Sequence, residues 1–230
     1  LPQPKANQAK AKNPKTKPKP VTAEKLWSDH ILSTEGHLWA EGGDDSGTPM
    51  VYRWNGTSYD LVAHLDGVQR AAVWFDANCP DKASASRAEA AWNYLSLMLR
   101  SKAKLPKVSH RTIIPCRDNY LEILPNGQVI ALAPDRSLGM TYQVKLNCHS
   151  KPGRPHVVTP LPEASRFRAW IEQAHPDPEV RALVQEQCGA TLLSTNYQVA
   201  AWWYGAAGCG KSTLAAICKA MQRNTASARL

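Results

Sequence analysis

The sequence lacks an apolar stretch long enough to cross a membrane. Its longest run without a charged side chain extends from Gln187 to Gly210, and four polar residues between positions 194 and 198 interrupt that run. A transmembrane helix needs about 18 consecutive apolar residues. We therefore predict no membrane-spanning segment. The amino terminus also lacks the apolar region of a secretory signal.

Cysteine and histidine patterns typical of metal sites are missing as well. The six cysteines include no C-x-x-C pair, and none of the seven histidines belongs to an H-E-x-x-H sequence. These absences argue against a zinc knuckle and against a disulfide framework. We expect reduced thiols and no metal ion held by protein side chains alone.

Acidic residues are absent from the first twenty positions, which contain six lysines and five prolines. The whole chain has a formal net charge of +9, so two thirds of the excess positive charge lies in this segment. With no aromatic side chain to bury, residues 1–20 are predicted to form a disordered tail or linker. The segment fits an interdomain linker of a longer protein, or a polycation that contacts nucleic-acid phosphates.

Turn residues in positions 21–190 predict an α+β domain with two β-hairpins. Asn55-Gly56 separates two β-rich stretches and favours a tight two-residue turn, and Asn126-Gly127 separates two more. The sequence Ser86–Glu89 predicts a capping box, and apolar residues at helical spacing extend that helix to about Arg100. A proline-rich connector follows over residues 148–162.

Two further helices are predicted before position 190. Phe167 begins an apolar stripe with a period typical of a helix. The next helix has Asp177 as its N-cap, Pro178 in its first turn and Gly189 just beyond its end. Its predicted inner face consists of Val180, Leu183, Val184 and Gln187.

A basic stretch lies between the predicted domain's first helix and its second hairpin. Positions 100–117 contain six Lys or Arg residues and no acid. The stretch fits a strip that faces a nucleic-acid backbone, or a solvated helix end and loop, and no aromatic residues for base stacking lie among its charges. The candidate DNA-binding residues are Lys102, Lys104, Lys107 and Arg111.

Residues 205–212, GAAGCGKS, match the phosphate-binding pattern G-x-x-x-x-G-K-[ST], known as Walker A. The glycines allow the backbone to form a concave loop whose N–H groups point at one anion. Residues 197–204 predict a buried parallel strand before the loop, and residues 213–222 predict a helix after it. The pattern and this context predict a nucleotide site.

The candidate site takes ATP and Mg²⁺ as its cofactors. Lys211 is the candidate catalytic residue because its ammonium would contact the β- and γ-phosphates, and the Ser212 hydroxyl would bind Mg²⁺. The thiol of Cys209 is an inert spacer or a reactive group near that lysine. The candidate nucleotide-binding residues are Gly205, Ala206, Ala207, Gly208, Cys209, Gly210, Lys211, Ser212 and Thr213.

Hydrolysis requires more groups than this loop provides. Phosphoryl transfer also uses an acidic strand that holds Mg²⁺, a residue that orients water and usually an arginine finger. Only 18 residues follow Ser212. We therefore expect residues 191–230 to be the truncated start of an α/β P-loop NTPase domain, and the chain alone to be inactive as an ATPase.

Several segments in their order resemble phage and plasmid primase-helicases. They are the stretches around Trp39 and residues 52–56, then residues 113–121, 175–192 and 202–214. That family combines a region like the one before the helicase of the poxvirus primase-helicase with a superfamily 3 helicase domain. The family usually has proline after the first loop glycine, where this chain has Ala206.

The resemblance implies an AAA+ ATPase ring, a hexamer, that unwinds DNA during replication. Its partners would be single-stranded or forked DNA and a primase domain or protein, in the cytoplasm of a bacterium or phage-infected host. It assigns residues 21–190 to the linker-type domain and the loop residues to ATP binding. It assigns no DNA-contacting residue before Gln198.

Two other functions fit the sequence. A P-loop NTPase of another class, such as a nucleotide kinase, would place its loop near the amino terminus, whereas here nearly 200 residues precede it. A DNA-binding or assembly module without catalysis of its own is the second alternative. Trp202 and Trp203 fit stacking on DNA bases or, more simply, burial within the fold.

Overall fold

The computed structural model describes residues 21–43, 47, 49–107, 110–193 and 203–222. Within these ranges the chain has an α+β fold with six α-helices and two three-stranded antiparallel sheets. The α+β class predicted for residues 21–190 is confirmed. The helices are α1 (Ala23–Thr34), α2 (His64–Asn78), α3 (Ala85–Lys102), α4 (Arg166–Ala174), α5 (Pro178–Ala190) and α6 (Lys211–Met221). The strands are β1 (Trp39–Glu41), β2 (Val51–Trp54), β3 (Tyr59–Leu61), β4 (Thr112–Pro115), β5 (Tyr120–Ile123) and β6 (Val129–Leu132).

The larger hydrophobic core lies where α1, α2 and α3 pack beside the first sheet. Trp27, Phe75, Leu95 and Leu99 are almost completely buried in it. These side chains repeat at helical spacing on their respective helices, so one face of each helix is removed from water. The main chain of Glu41 bonds to Ala103 and Leu105, and these bonds fix the end of α3 to β1.

Helix α3 begins earlier than the capping-box pattern predicts. Ser84, not Ser86, is the N-cap, and its hydroxyl accepts a hydrogen bond from the N–H of Arg87. Ser84 has the extended backbone that an N-cap requires, whereas Ser86 already lies inside the helix. The helix continues two residues beyond Arg100. Helices α1 and α2 had not been predicted as separate elements.

Both predicted hairpins are present, but the first turn is longer than two residues. Trp54 pairs with Tyr59, so four residues form the loop. The side-chain oxygen of Asn55 accepts hydrogen bonds from the N–H groups of Thr57 and Ser58, and Gly56 has a positive φ of 106°. The asparagine thereby organises a wider turn than the Asn-Gly pair alone predicts.

The second hairpin joins β5 and β6 around the predicted Asn126-Gly127 pair, and its turn is also longer than two residues. Ile123 pairs with Val129, and Gly127 has a φ of 82°. The side-chain oxygen of Asn126 accepts a hydrogen bond from the N–H of Gln128 at 3.0 Å. Strand β4 pairs with β5 and completes the second sheet.

The two sheets contact each other through the first hairpin loop. Tyr120 of β5 is fully buried, and its hydroxyl donates a hydrogen bond to the carbonyl of Thr57. The N–H of Tyr59 donates to the carbonyl of Met140 at 2.8 Å. A second core of Ile113, Tyr120, Leu138 and Met140 lies at this junction.

Helices α4 and α5 occur where the sequence predicts them. Asp177 caps α5 by accepting a hydrogen bond from the N–H of Glu179 at 2.8 Å, and Pro178 is the first helical residue. Gly189 lies inside the helix rather than beyond it. The predicted inner face is only partly correct, because Val184 is buried whereas Val180 and Leu183 are exposed. The apolar neighbours that would cover those two side chains are absent from the described residues.

The carboxyl end of α6 is hydrogen-bonded to the segment that follows the second sheet. The N–H of Lys145 donates to the carbonyl of Met221 at 2.6 Å, and Val144 forms an antiparallel bridge with Gln222. Val144 is fully buried, and its own N–H bonds to the carbonyl of Pro115. These contacts fix the position of the helix that begins at Lys211.

The parallel sheet expected around the phosphate loop is not seen among the described residues. Most of the predicted strand, residues 197–202, lies outside them. Trp203 and Tyr204 are described and lie in no strand, and Tyr204 is completely exposed. The strand prediction is wrong for these two residues, because no neighbouring strand in the described chain supplies hydrogen bonds to them.

Candidate functional site

The loop of residues 205–210 leads directly into α6, so its last glycine is the N-cap of that helix. Gly208 has a φ of 81° and Gly210 a φ of 89°, whereas Cys209 between them has a negative φ. Alternation of this kind turns successive N–H groups toward one side and is typical of anion-binding nests. The positive φ of Gly208 and Gly210 is the backbone conformation that a concave loop of this kind uses.

The side chain of Lys211 folds back over the loop. Its Nζ atom lies 2.8 Å from the carbonyl oxygen of Gly205, 2.9 Å from that of Ala206 and 3.0 Å from the sulfur of Cys209. An ammonium group has three protons, and these three acceptors match them. Lys211 thus places a positive charge at the mouth of the loop, where it is only partly buried.

Gly205 leaves room for the side chain of Cys209, and its backbone does not adopt a positive φ. A Cβ atom at this position would lie 2.9 Å from the sulfur of Cys209 and 3.8 Å from the Nζ of Lys211. Any larger residue would displace the cysteine that helps to hold the lysine. At Gly208 a Cβ would meet nothing within 4 Å, so that side of the loop is open.

Helices α4 and α5 contact the loop and the residues just before it. A Cβ at Gly210 would lie 2.8 Å from the indole of Trp170 of α4, so the backbone rests directly on that ring. The indole N–H of Trp203 donates to the side-chain oxygen of Gln187 of α5 at 2.7 Å. Trp203 is partly buried, as the simpler of its two interpretations predicts. No local sequence pattern marks Trp170 or Gln187 as residues of the site.

The thiol of Cys209 is activated by its neighbour. The hydrogen bond from Lys211 lowers the pKa of Cys209 below the ordinary value of a cysteine. The thiolate that forms is the nucleophilic state of the side chain. Of the two interpretations of Cys209, this contact favours the reactive one.

The first turn of α6 carries the hydroxyl groups expected near a bound nucleotide. Ser212 and Thr213 are exposed there, and the turn contains no acidic residue. The helix has eleven residues, and its amino end is the positive end of the helix dipole. The described residues contain no cluster of three or more His, Cys, Asp or Glu side chains that could hold a metal ion. The Ser212 hydroxyl is an oxygen ligand of the kind that Mg²⁺ takes, and phosphate oxygens and waters would supply the others.

An apolar groove of about 700 Å³ lies behind the loop, between α4, α5 and α6. Ile171, Val184 and Leu214 line it, one from each helix. Cys188 of α5 lies on the same wall. Residues 158–161 of the proline-rich connector form another part of its wall.

The structure divides the four candidate DNA-binding residues into two groups. Lys102, Lys104 and Lys107 are exposed near the end of α3 and after it. Arg111 instead makes a double hydrogen bond with Glu122 of β5, with both contacts at 2.5 Å. Its charge is therefore neutralised locally. In the sheet, Glu122 pairs with Ile113, which lies two residues after Arg111. Arg111 and Glu122 are therefore diagonal neighbours on adjacent strands, and the strand register predicts their contact.

The contact between Arg111 and Glu122 shifts the pKa of both side chains. The hydrogen bond to Glu122 raises the pKa of Arg111. The same contact lowers the pKa of Glu122. The tail of residues 1–20, which carries the other candidate nucleic-acid charges, lies outside the described residues.

No family model and no curated protein matches this chain. None of the helices formed by the described residues combines the length and the apolar character needed to cross a bilayer.

Proposed function

We propose that residues 205–213 bind the phosphates of ATP with Mg²⁺, as part of an ATP-dependent replicative DNA helicase of the phage or plasmid primase-helicase type. The observation that supports this most directly is the position of the Lys211 ammonium over the two carbonyls of its own loop. A lysine held this way adds its positive charge to that of the loop's N–H groups. Phosphate oxygens would replace the carbonyls as its partners.

Each residue of the loop has a part in this proposal. Gly208 and Gly210 give the backbone its nest curvature, and Gly205 leaves space for Cys209 beside the lysine. The N–H groups at the start of α6 add the positive end of the helix dipole. Mg²⁺ would neutralise phosphate charge, and the Ser212 hydroxyl would be its protein ligand.

The proposed activity of the described residues is phosphate binding. In the parent helicase, hydrolysis would require the acidic strand and the arginine finger that the family implies. The oligomeric ring, the primase partner and the cytoplasmic location remain part of the same proposal. A DNA-binding module without catalysis is the alternative, and the exposed lysines that follow α3 favour it.

The direct test compares two lysines of the same helix. Lys211→Ala should weaken binding of a fluorescent ATP analogue by about tenfold or more, because it removes a charge-assisted contact worth roughly 1.4 kcal/mol. Lys219→Ala removes an exposed lysine from the last turn of α6 and should leave the affinity unchanged. Titration with MgATP, followed by fluorescence anisotropy, gives both affinities. Equal binding by wild type and Lys211→Ala would refute the site, and the DNA-binding module would then be the better description.

A further inference from the structure

Two cysteines from different helices lie in contact behind the phosphate loop. The Sγ atom of Cys218 in α6 is 3.4 Å from the Sγ atom of Cys188 in α5. Both residues are partly buried. The sequence alone does not mark these cysteines as a pair, because they are 30 positions apart.

The span between the two cysteines contains the whole loop of residues 205–212. A bond between Cys188 and Cys218 would therefore close a ring that includes the candidate phosphate site. It would also join α5, which supports Trp203 through Gln187, to the helix that carries Lys211. Such a bond would hold α6 against α5.

The sulfur atoms need only a small movement to form that bond. A disulfide has an S–S distance of about 2.05 Å. Cys188 lies on the wall of the groove described above, so a small oxidant can enter from that side. Burial and the neighbouring Cys218 thiol raise the pKa of Cys188.

We propose that Cys188 and Cys218 are a reversible redox modification site, oxidised to a disulfide by hydrogen peroxide. One sulfur of the pair attacks one peroxide oxygen; an S–O bond forms, the O–O bond breaks, and hydroxide leaves as water after taking the thiol proton. The other sulfur then attacks the oxidised sulfur while its thiol proton passes to the departing hydroxide; an S–S bond forms, the S–O bond breaks, and a second water leaves. Two thiols are oxidised and one peroxide is reduced to two waters.

The site does not depend on nucleotide binding. Its chemistry needs only the contact between α5 and α6, and its readouts are a cross-linked peptide and thermal stability. A chain that failed to bind ATP would still form the disulfide. The failure of one proposal is thus distinguishable from the failure of the other.

The cross-link is measured on the full chain after reduction, removal of the reductant and exposure to hydrogen peroxide. Remaining thiols are blocked with N-ethylmaleimide, and the protein is digested without reduction. Trypsin leaves Cys188 and Cys209 together in the peptide of residues 182–211. Chymotrypsin cuts after the aromatic residues between 197 and 204 and so separates them. The expected product joins the Cys188 peptide to the Cys218 peptide.

The oxidised chain should also unfold at a higher temperature. Closing a loop of this length should raise the Tm by about 5–10 °C, and a reductant should reverse the change. Cys188→Ser and Cys218→Ser should each abolish the increase. Cys209→Ser is the matched control, and it should retain both the cross-link and the increase.

Three results would overturn the proposal. One is the absence of the Cys188–Cys218 peptide after peroxide treatment of the wild type. Another is a cross-link that joins other cysteines, such as Cys209 to Cys218 or Cys116 to Cys148. The third is an increase in Tm that persists in the Cys218→Ser variant.

Discussion

Gly67 of α2 lies directly against the indole ring of Trp92 of α3, and a Cβ atom at position 67 would be 2.4 Å from two of the ring's carbons. Both residues are buried. The close crossing of α2 and α3 therefore depends on the absence of a side chain at one position. This crossing of α2 and α3 is part of the larger core.

Gly67→Ala should lower the free energy of unfolding by about 1–3 kcal/mol, because the added methyl group has no space in a packed interior. Gly189→Ala is the matched control, since Gly189 is also helical and a Cβ there would meet nothing within 4 Å. That substitution should raise the free energy of unfolding by about 0.5 kcal/mol. Urea denaturation followed by circular dichroism measures both. Equal destabilisation by the two variants would contradict the close contact.

Cys209 should react faster with alkylating reagents than the buried thiols. The hydrogen bond from Lys211 lowers the pKa of Cys209, whereas burial raises the pKa of Cys116 to about 12. Mass spectrometry after timed exposure to N-ethylmaleimide at pH 7.5 should find Cys209 modified first of the two.

The same reaction tests the contact between the thiol and the lysine. In Lys211→Ala the pKa of Cys209 returns toward its ordinary value, so less thiolate is present at pH 7.5 and alkylation should slow severalfold. Lys219→Ala should leave the rate unchanged. MgATP should protect Cys209 in the wild type if the loop binds phosphate. A rate that is the same in wild type and Lys211→Ala would show that the contact does not activate the thiol.

The basic stretch should bind DNA through its exposed lysines rather than through Arg111. Lys102→Ala and Lys107→Ala should each weaken binding to a single strand and reduce the salt dependence by about one counterion. Glu122→Gln should have the opposite effect, because it frees the guanidinium of Arg111 from its carboxylate partner. Fluorescence anisotropy at several salt concentrations measures these effects. Affinities that do not vary with salt in the wild type would exclude a backbone-binding strip.

Asp118 should make the stability of the chain depend on pH. Burial raises the pKa of its carboxyl, but hydrogen bonds from the N–H groups of Cys148, His149 and Asn119 outweigh that effect, and the net pKa is lowered. The carboxylate therefore stabilises the fold above its unfolded pKa of about 3.9, and this stability is lost as the pH falls through the folded pKa.

Asp118→Asn should lower the free energy of unfolding at pH 7 by about 1 kcal/mol, a modest cost because the group is exposed to solvent. The difference from wild type should narrow between pH 5 and pH 3. Asp76→Asn changes an exposed residue of α2 and should stay within about 0.5 kcal/mol of wild type at pH 7. Urea titrations at each pH give the comparison. A constant difference across that range would exclude the ionised carboxylate as the source.

The sequence predicted those elements whose local residues determine the backbone. Asn126-Gly127 specifies its turn because Gly127 adopts a positive φ, and Asp177 with Pro178 defines the start of α5 to the residue. The glycines of the phosphate loop likewise determine the backbone at their own positions. Helix α2 was not recognised because its N-cap, Ala63, offers no capping side chain.

Features that depend on distant contacts could not be predicted in the same way. Trp170 lies under Gly210 because α4 packs against the loop, and no residue near either position indicates this. Arg111 carries the same charge as its neighbours, but its partner Glu122 comes from the next strand. The exposed Tyr204 was assigned to a buried strand because an apolar side chain in sequence does not reveal whether a neighbour covers it.

Each described strand pairs only with the strand next to it along the chain. The larger core is formed wholly by residues 23–103. Strand pairing within each sheet therefore closes only short stretches of chain, which favours rapid formation of the two sheets. During synthesis, the amino-terminal half can acquire its tertiary structure on the ribosome before the second sheet has been translated.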